Sequence, residues 1–472
     1  MNIVLGKKNT SYRILFCSII TLFIGILGLD TGVYWDNITF VSQMGNALFD
    51  NGILKWGCIP VEHDPGHPPL MATIMAVSWK LFGKSLLVSH LVLWPFIFGV
   101  IWQLYNLCSY YLENNKLRCL AVFFIVLDTT FLSHIVLIDI EVPQLFFTLL
   151  VLNIIIYDKS KKIKCFYLIL LSMVSMRGMM LSLGMFIIDA IFYSQNNGKI
   201  KDFVRNNILI YIFAAVPSIL FIAWRLLDKG WLISNPYEAW GNSTSFDSAN
   251  DFIKNICWNL LIIGHRYVDF GRIIPITLII FTLFFKREFF TQKLKGLLVI
   301  SLFSVSVVLL ISIGIKNTIN HRYLIISFIA LDLLSFLLVS QYKHRIALYT
   351  LLFVSMFSGS FYIYPDRISE MWDSTMAHYP YWNLRRQALK YMEEHNISIE
   401  RTATFFPNCS IDEVDLNNDR RKFQSFDSNN DYVFFSNVLV IYDDEYNSVI
   451  NDYVLVKQFK ENGIRVEIRK RK

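Results

Sequence analysis

The sequence predicts an α-helical membrane protein with many spans, followed by a small polar α/β domain at its C-terminal end. Hydrophobic residues make up 54% of its 472 residues, and they occur in long uninterrupted blocks. Blocks of about 20 apolar residues cross the hydrocarbon core of a bilayer as helices. Only helices and closed barrels satisfy their backbone groups there, and barrel strands alternate polar and apolar residues over about 10 positions. The blocks are too continuous for barrel strands, so we expect a helical bundle.

About eleven apolar segments are predicted to cross the membrane. The first follows Lys7, Lys8 and Arg13, and no small-residue cleavage site comes after it, so we interpret it as a retained anchor. An odd number of crossings places the two ends of the chain on opposite sides. The predicted spans are 14–29, 86–111, 119–137, 142–157, 165–176, 178–193, 207–227, 273–285, 296–315, 323–339 and 346–364.

The distribution of basic residues orients these spans. The loops assigned to the inside are rich in Lys and Arg, and the segment 159–164 alone carries four lysines. The short outer turns contain few basic residues apart from Arg177, Lys316 and Arg322. This is the positive-inside bias, which predicts a cytoplasmic N-terminus and an extracytoplasmic C-terminus. The net charge of +7 therefore reflects membrane orientation and does not indicate nucleic-acid binding.

Two domains are expected from the change in composition near residue 365. Residues 1–364 form the transmembrane domain, with a first outer loop at 30–85. Residues 365–472 are polar and form an extracytoplasmic α/β domain. Its strand-like runs 453–460 and 464–469, joined through Asn462-Gly463, predict a β-hairpin.

The first outer loop concentrates ionisable groups beside an apolar block, among them Asp30, Asp36, Asp64 and His67. Asp36 follows two aromatic residues at the start of a helical pattern. Its carboxylate could accept a proton from a hydroxyl group or hold a divalent cation. The alternative is a helix cap beside Asn37.

A second acidic site, Asp139 and Glu141, lies at the outer end of a predicted span. A capping role is the simple explanation. Carboxylates at that depth are costly without a cation, however. A divalent metal ion shared with Asp36 would stabilise the set, so we expect Asp36, Asp139 and Glu141 to be candidate metal ligands.

Two cationic positions and one histidine complete the candidate site. Arg177 interrupts an apolar stretch and requires an anion, either Glu141 or a lipid phosphate. The turn Arg322-Tyr323 is a further outer position suited to phosphate, with an interface anchor as the alternative. His67 precedes a proline pair that starts a helix, where no structural requirement demands a histidine.

These features, in this order, resemble the lipid-linked-sugar glycosyltransferases of family 39, in the glycosyltransferase C superfamily. Protein mannosyltransferases and the aminoarabinose transferase of lipid A belong to that family. The matching positions are Asp36, His67 before Pro-Pro-Leu, Glu141, and Arg177-Gly178, within residues 14–195. The resemblance implies a glycosyltransferase C-type transmembrane bundle.

The resemblance also implies roles for individual residues. Asp36 becomes the catalytic base, and Glu141 and His67 are the other catalytic positions. The Asp-Glu pair usual in the family is Asp36-Asn37 here, so Asp30 stays open as an alternative base. Arg177 would bind the donor phosphate. The further residues expected to bind substrate are Asp30, Asp64, Arg322 and Tyr323.

The implied reaction moves a sugar from a polyprenyl-phosphate donor to a glycan, lipid or protein acceptor on the outer face of the membrane. It is a single inverting displacement, in which a metal ion or Arg177 stabilises the departing phosphate. The large luminal domain of eukaryotic protein mannosyltransferases is absent, which indicates the inner (plasma) membrane of a bacterium.

Two other classes of protein fit the composition. A transporter or flippase of lipid-linked saccharides would place charged residues along a path through the middle of the bundle. A membrane scaffold would give no reason for His67 or Arg177. The expected clustering of the acidic groups at one face favours the transferase.

Overall fold

The computed structural model describes residues 7–195, 198–232, 235, 244–316, 319–365 and 371–472. Within them, the chain forms a large helical bundle followed by a small sheet with its own helices. The helices are, in chain order, α1 (Lys7–Gly28), α2 (Met44–Asn51), α3 (Leu70–Phe82), α4 (Leu86–Tyr111), α5 (Asn115–Val126), α6 (Thr129–Val136), α7 (Glu141–Ile156), α8 (Lys161–Val174), α9 (Met176–Gln195), α10 (Ile200–Lys229), α11 (Ala249–Arg266), α12 (Ile273–Phe285), α13 (Gln292–Ile313), α14 (Ile325–Val339), α15 (Arg345–Ser358), α16 (Pro380–Glu394), α17 (Ile411–Asp415) and α18 (Asp443–Asp452).

The C-terminal part contains one five-stranded mixed sheet. Its spatial order is β2-β1-β3-β5-β4. β1 pairs in parallel with β2 and β3, whereas β5 runs antiparallel to β3 and β4. β4 and β5 form the hairpin predicted at that point, with positive φ at Asn462 and Gly463. The strands are β1 (Thr402–Thr404), β2 (Gln424–Ser425), β3 (Tyr432–Ser436), β4 (Tyr453–Glu461) and β5 (Ile464–Arg471).

The apolar helices make this an integral membrane protein, but the predicted count of eleven spans is not confirmed. In the described part of the chain, 6 helices are long and apolar enough to cross a membrane, or up to 7 if one bent pair counts as a span. Helices α7, α8, α12 and α15 occupy predicted spans yet have only 13 to 16 residues. Such helices are about 20–24 Å long, which is shorter than the hydrocarbon core. The qualifying helices are Thr10–Gly28, Leu86–Tyr111, Met176–Gln195, Ile200–Lys229, Gln292–Leu310 and His321–Val339.

The bent pair replaces the single predicted span 119–137. Helices α5 and α6 meet at an angle of 79°. Asp128 lies at the break and caps α6 by accepting a hydrogen bond from the Phe131 amide. The same carboxylate accepts two hydrogen bonds from Arg272, at 2.6 and 2.7 Å. The contact between the buried Asp128 and the distant Arg272 therefore stabilises the bend between α5 and α6. The local hydropathy does not reveal this bend.

One helix lies where the sequence predicted only an outer loop. Helix α11 covers residues 249–266 and packs against α13. Its polar residues lower its mean hydropathy below that of a span. The sequence predicted a domain boundary between residues 364 and 365. Residues 366–370, close to this boundary, lie outside the described residues.

Candidate active site

An ion pair between Asp36 and Arg322 lies at the centre of the candidate site. Asp36 comes from the turn before a short π-helical segment, Ile38–Gln43, and Arg322 from the turn that leads into α14. The Asp36 side chain is 31% exposed and that of Arg322 only 4%. The carboxylate is therefore reachable from solvent while its cation is held inside the protein.

Arg322 also faces two other carboxylates. Its Nη1 lies 3.5 Å from Asp373, and its Nε lies 4.0 Å from Glu141. Asp373 is fully buried and accepts hydrogen bonds from the Asn320 side chain at 3.2 and 3.3 Å. Burial raises the pKa of Asp373. One guanidinium thus links residues from the first loop, the start of α7 and the segment before α16.

Glu141 and Arg177 form a second ion pair beside the first. Glu141 is the first residue of α7, where the positive end of the helix dipole favours a carboxylate. Its Oε1 accepts a hydrogen bond from Arg177 Nη2 at 2.6 Å, and its Oε2 accepts one from Gln144 at 3.0 Å. The Arg177 guanidinium lies 4.4 Å from the centre of the Tyr323 ring. Arg322 lies 5.3 Å from the centre of the same ring, so two cations flank Tyr323.

The start of α9 is fixed by close packing. Ser175 donates a hydrogen bond to Gln144 at 2.5 Å and accepts one from the Gly178 amide at 2.9 Å. A Cβ atom at Gly178 would lie 2.2 Å from the carbonyl oxygen of Leu171, which essentially excludes any other residue there. The glycine after Arg177 therefore allows α8 and α9 to approach closely and sets the direction of the arginine.

His67 lies against the same helix end. Its Nδ1 accepts a hydrogen bond from the Met176 amide at 3.1 Å, so in the neutral ring the proton is on Nε2. Burial, together with the nearby Arg177 and Arg322, lowers the pKa of His67 to about 3. His67 is therefore a neutral hydrogen-bond donor at physiological pH and not a cation.

A cavity with apolar walls opens beside these charges. Its charged end is formed by Glu141, Arg177 and Arg322, next to Tyr323. Arg177 Nη1 and Arg322 Nε are buried there, and neither has a hydrogen-bond partner in the part of the chain that the structure describes. The apolar walls of the cavity include Leu145, Leu181, Val307, Val308, Ile325 and Ile326.

Two of the predicted substrate-binding residues lie elsewhere. Asp30 is exposed, and its carboxylate lies 3.9 Å from Arg386. Asp64 is buried and accepts hydrogen bonds from Arg225 and from the Gly66 amide, both at 3.0 Å. The structure thus brings together Asp36, His67, Glu141, Arg177, Arg322 and Tyr323, but it does not place Asp30 or Asp64 with them.

The three expected metal ligands do not form a shared site. Asp36 pairs with Arg322, Glu141 with Arg177, and Asp139 with the ring of His134 at 2.5 Å. Although burial opposes its ionisation, the His134 ring holds the pKa of Asp139 below its usual value. Across the described ranges, no group of three or more His, Cys, Asp or Glu side chains has a geometry that could hold a metal ion. Each carboxylate has its own side-chain partner, so the residues do not fit a shared divalent ion.

Sequence reasoning did not identify Asp373 or Asn320 as site residues. Both lie outside the apolar blocks and carry no motif of their own. Their place in the site depends on contacts with Arg322 and with each other, which a single sequence does not reveal.

Comparison with solved structures shows a similar fold in ArnT from Cupriavidus metallidurans. Two crystal structures of ArnT, one bound to undecaprenyl phosphate and one in the apo state, each give a TM-score of 0.52 at 9% sequence identity. The likeness covers 97% and 98% of this chain, and 98% of the ArnT chain in both cases. No protein-family model and no curated protein matches the sequence. The chain therefore shares the fold of ArnT over nearly its whole length.

Proposed function

We propose that this protein is a membrane glycosyltransferase that moves a sugar from a polyprenyl-phosphate-linked donor to an acceptor. One observation carries the proposal: the apolar cavity ends at two buried guanidinium groups with unpaired N–H donors, beside the accessible carboxylate of Asp36. An isoprenoid chain fits apolar walls, and a phosphate fits paired arginines. The fold of ArnT, one structure of which holds undecaprenyl phosphate, supports the same ligand class.

In the proposed reaction, Arg177 and Arg322 hold the donor phosphate. Negative charge develops on that phosphate as the bond to the sugar breaks, and fixed cations in a water-poor site stabilise it strongly. Glu141 orients Arg177, and the Nε2–H of His67 is a further donor at the same helix end. No step requires a metal ion.

Asp36 is the proposed base. It takes the proton of the acceptor hydroxyl, whose oxygen attacks the anomeric carbon in a single inverting displacement. Arg322 forms an ion pair with the Asp36 carboxylate. A bound phosphate would share Arg322 and leave a carboxylate oxygen free for the acceptor, which is a glycan, a lipid or a protein.

The proposed setting is the inner (plasma) membrane of a bacterium. The lysine-rich loops, such as 159–164, would face the cytoplasm together with the N-terminus. The candidate site and the C-terminal sheet would then lie on the extracytoplasmic side, where polyprenyl-phosphate sugars present their head groups.

The test is sugar transfer from radiolabelled undecaprenyl-phosphate sugars in membranes that contain the protein. Loss of a general base costs about 10²- to 10⁴-fold, so Asp36→Asn should abolish measurable transfer. The control is Asp50→Asn, an exposed carboxylate in the same loop. Loss in Asp30→Asn instead would move the base to Asp30. Label that crosses the bilayer while still linked to the lipid would favour a flippase and contradict the proposal.

A further inference from the structure

Both partners of the Asp36–Arg322 ion pair are held by the C-terminal part of the chain. We propose that residues 371–472 complete the active site, with Tyr34 as the positioning residue for Asp36 and Asp373 as the positioning residue for Arg322. This inference rests on the proposed function, because it assigns residues 371–472, which we call the sheet unit, a part in the transfer step. This positioning role of the sheet unit is distinct from a role in selecting the acceptor.

Tyr34 anchors the Asp36 turn in the C-terminal part. Its side chain is fully buried, and its hydroxyl donates a hydrogen bond to the carbonyl oxygen of Val438 at 2.8 Å. Its ring stacks on His378 with a centroid distance of 5.0 Å and meets the edge of Trp382 at 5.4 Å. A residue two positions before the proposed base is therefore enclosed by residues more than 340 positions away in the sequence.

The backbone on either side of Tyr34 is held in the same way. The Val33 amide donates to the carbonyl oxygen of Val414 at 2.9 Å. Trp35 has a φ of 55°, in the left-handed region that bulky residues adopt only where surrounding contacts enforce it. Its ring lies against Phe406, with a centroid distance of 6.4 Å. The turn that presents Asp36 depends on these contacts.

Arg322 is held from the other side by Asp373. The Asp373 carboxylate lies 3.5 Å from Arg322 Nη1 and accepts two hydrogen bonds from Asn320. The Asp373 backbone is itself fixed, because its carbonyl oxygen accepts a hydrogen bond from Ser133 in α6 at 2.6 Å. The guanidinium is therefore positioned by a carboxylate that does not itself line the cavity.

A separate contact fixes the C-terminal part to the first loop. Lys84 forms an ion pair with Asp412 in α17 at 2.5 Å, and Gln43 donates to Glu413 at 3.0 Å. These bonds use side chains other than Tyr34 and Asp36. They show that docking and positioning use different side chains, so a variant of Tyr34 can disturb the turn while the docked arrangement persists.

The first experiment compares Tyr34→Phe with Tyr453→Phe in the full-length protein. Each change removes one tyrosine hydroxyl that donates to backbone carbonyls, and Tyr453 bonds Asp427 and Asn430 within the sheet unit. Because one hydrogen bond contributes about 0.5–1.5 kcal/mol, we expect kcat to fall about 2- to 12-fold in Tyr34→Phe, with the donor KM unchanged. Tyr453→Phe should keep the wild-type kcat. Equal losses in both variants, or a donor KM that rises in proportion, would overturn the proposal.

The second experiment compares Asp373→Asn with Asp431→Asn. Asp431 pairs with Arg401 on the surface of the sheet unit, at 2.7 Å. We expect Asp373→Asn to lower kcat at least 10-fold and to weaken binding of undecaprenyl phosphate, and Asp373→Glu to restore part of both. Wild-type kinetics in Asp373→Asn would contradict the role assigned to Asp373.

Hydrogen–deuterium exchange separates this inference from the proposed function. Tyr34→Phe should speed amide exchange in residues 33–43, whether or not any donor sugar is turned over, while Tyr453→Phe should not. If the wild type neither transfers sugar nor binds undecaprenyl phosphate, the proposed function fails even though the exchange result stands. Unchanged exchange in 33–43 would overturn the anchoring role of Tyr34 regardless of activity.

Discussion

Glu141 and Arg177 form an ion pair at 2.6 Å between the first turns of α7 and α9, and both side chains are almost fully buried. The pair uses one nitrogen of the guanidinium and leaves Nη1 without a partner among the described residues. Gln144 donates to the second Glu141 oxygen, so the carboxylate is satisfied on both sides. Glu141 therefore holds a cation that lines the cavity and keeps an unpartnered donor.

Replacing Glu141 with Leu should destabilise the protein by about 3–5 kcal/mol, because breaking a buried ion pair leaves an uncompensated charge. Glu141→Gln keeps an acceptor for Arg177 and should cost less. Thermal unfolding in detergent measures both effects. A control is Glu461→Gln, at an exposed position of β4. Equal stability of Glu141→Leu and wild type would show that the pair contributes nothing to the fold.

The half-buried His67 ring predicts a loss of stability at acid pH. Its pKa is about 3 in the folded protein and 6.5 when unfolded, so the unfolded chain binds the extra proton between these values. Stability therefore falls as the pH drops below about 6.5. Between pH 7.5 and 5.0 this group should account for about 2 kcal/mol. The measurement is the difference between the unfolding free energies at pH 7.5 and pH 5.0. In His67→Gln this difference should be smaller than in the wild type by that amount. In His395→Gln, at an exposed position, it should equal the wild-type difference.

Gly178→Ala should disturb the helix end that carries Arg177. The new Cβ would lie 2.2 Å from the Leu171 carbonyl oxygen, so α8 and α9 would have to separate. We expect a lower melting temperature and weaker binding of undecaprenyl phosphate. The matched control is Gly264→Ala in α11, where a Cβ meets no atom within 4 Å. That change should be neutral or stabilise by about 0.5–1 kcal/mol, since alanine favours helices. Equal effects of the two changes would argue against close packing at Gly178.

Asp64→Asn should affect stability more than ligand binding. The sequence predicted a substrate contact at this position, whereas the carboxylate is bonded to the buried Arg225 in α10. Removing its charge leaves Arg225 without a full counter-ion. The free energy of unfolding should fall by at least about 1 kcal/mol, the size of a buried hydrogen bond to a charged group. Titration with undecaprenyl phosphate should give the wild-type affinity. A large loss of affinity with unchanged stability would restore the sequence prediction.

Hydropathy locates the six long apolar helices of the described part of the chain, because each span needs only a continuous apolar stretch. Four other predicted spans contain helices of only 13 to 16 residues, so the predicted count of eleven is not confirmed. Hydropathy does not reveal the break at Asp128, since the partner of that carboxylate is Arg272, 144 positions later. Hydropathy also misses α11, because the polar residues of this helix make its composition similar to that of a loop. Long-range pairing and amphipathic burial are the two effects that the local pattern leaves out.

The candidate site shows the same limit. Asp36, Glu141, Arg177 and Arg322 stand out in the sequence because charges are rare beside apolar blocks. Their mutual pairing, which replaces the expected metal site, depends on helix positions that composition does not determine. Asp373 sits in a polar region where a carboxylate is unremarkable, so only its distance from Arg322 brings it into the site.

The bond from Tyr34 to Val438 spans 404 positions of the chain. At about 5–20 residues per second, a ribosome needs roughly 20–80 s to make the intervening residues. Throughout that time the first loop has already left the ribosome without the partners that shape its turn. The proposed base is thus among the earliest residues synthesised, yet it acquires its geometry only when translation is nearly complete. A chain released early would carry every motif of the N-terminal half and still have no assembled site.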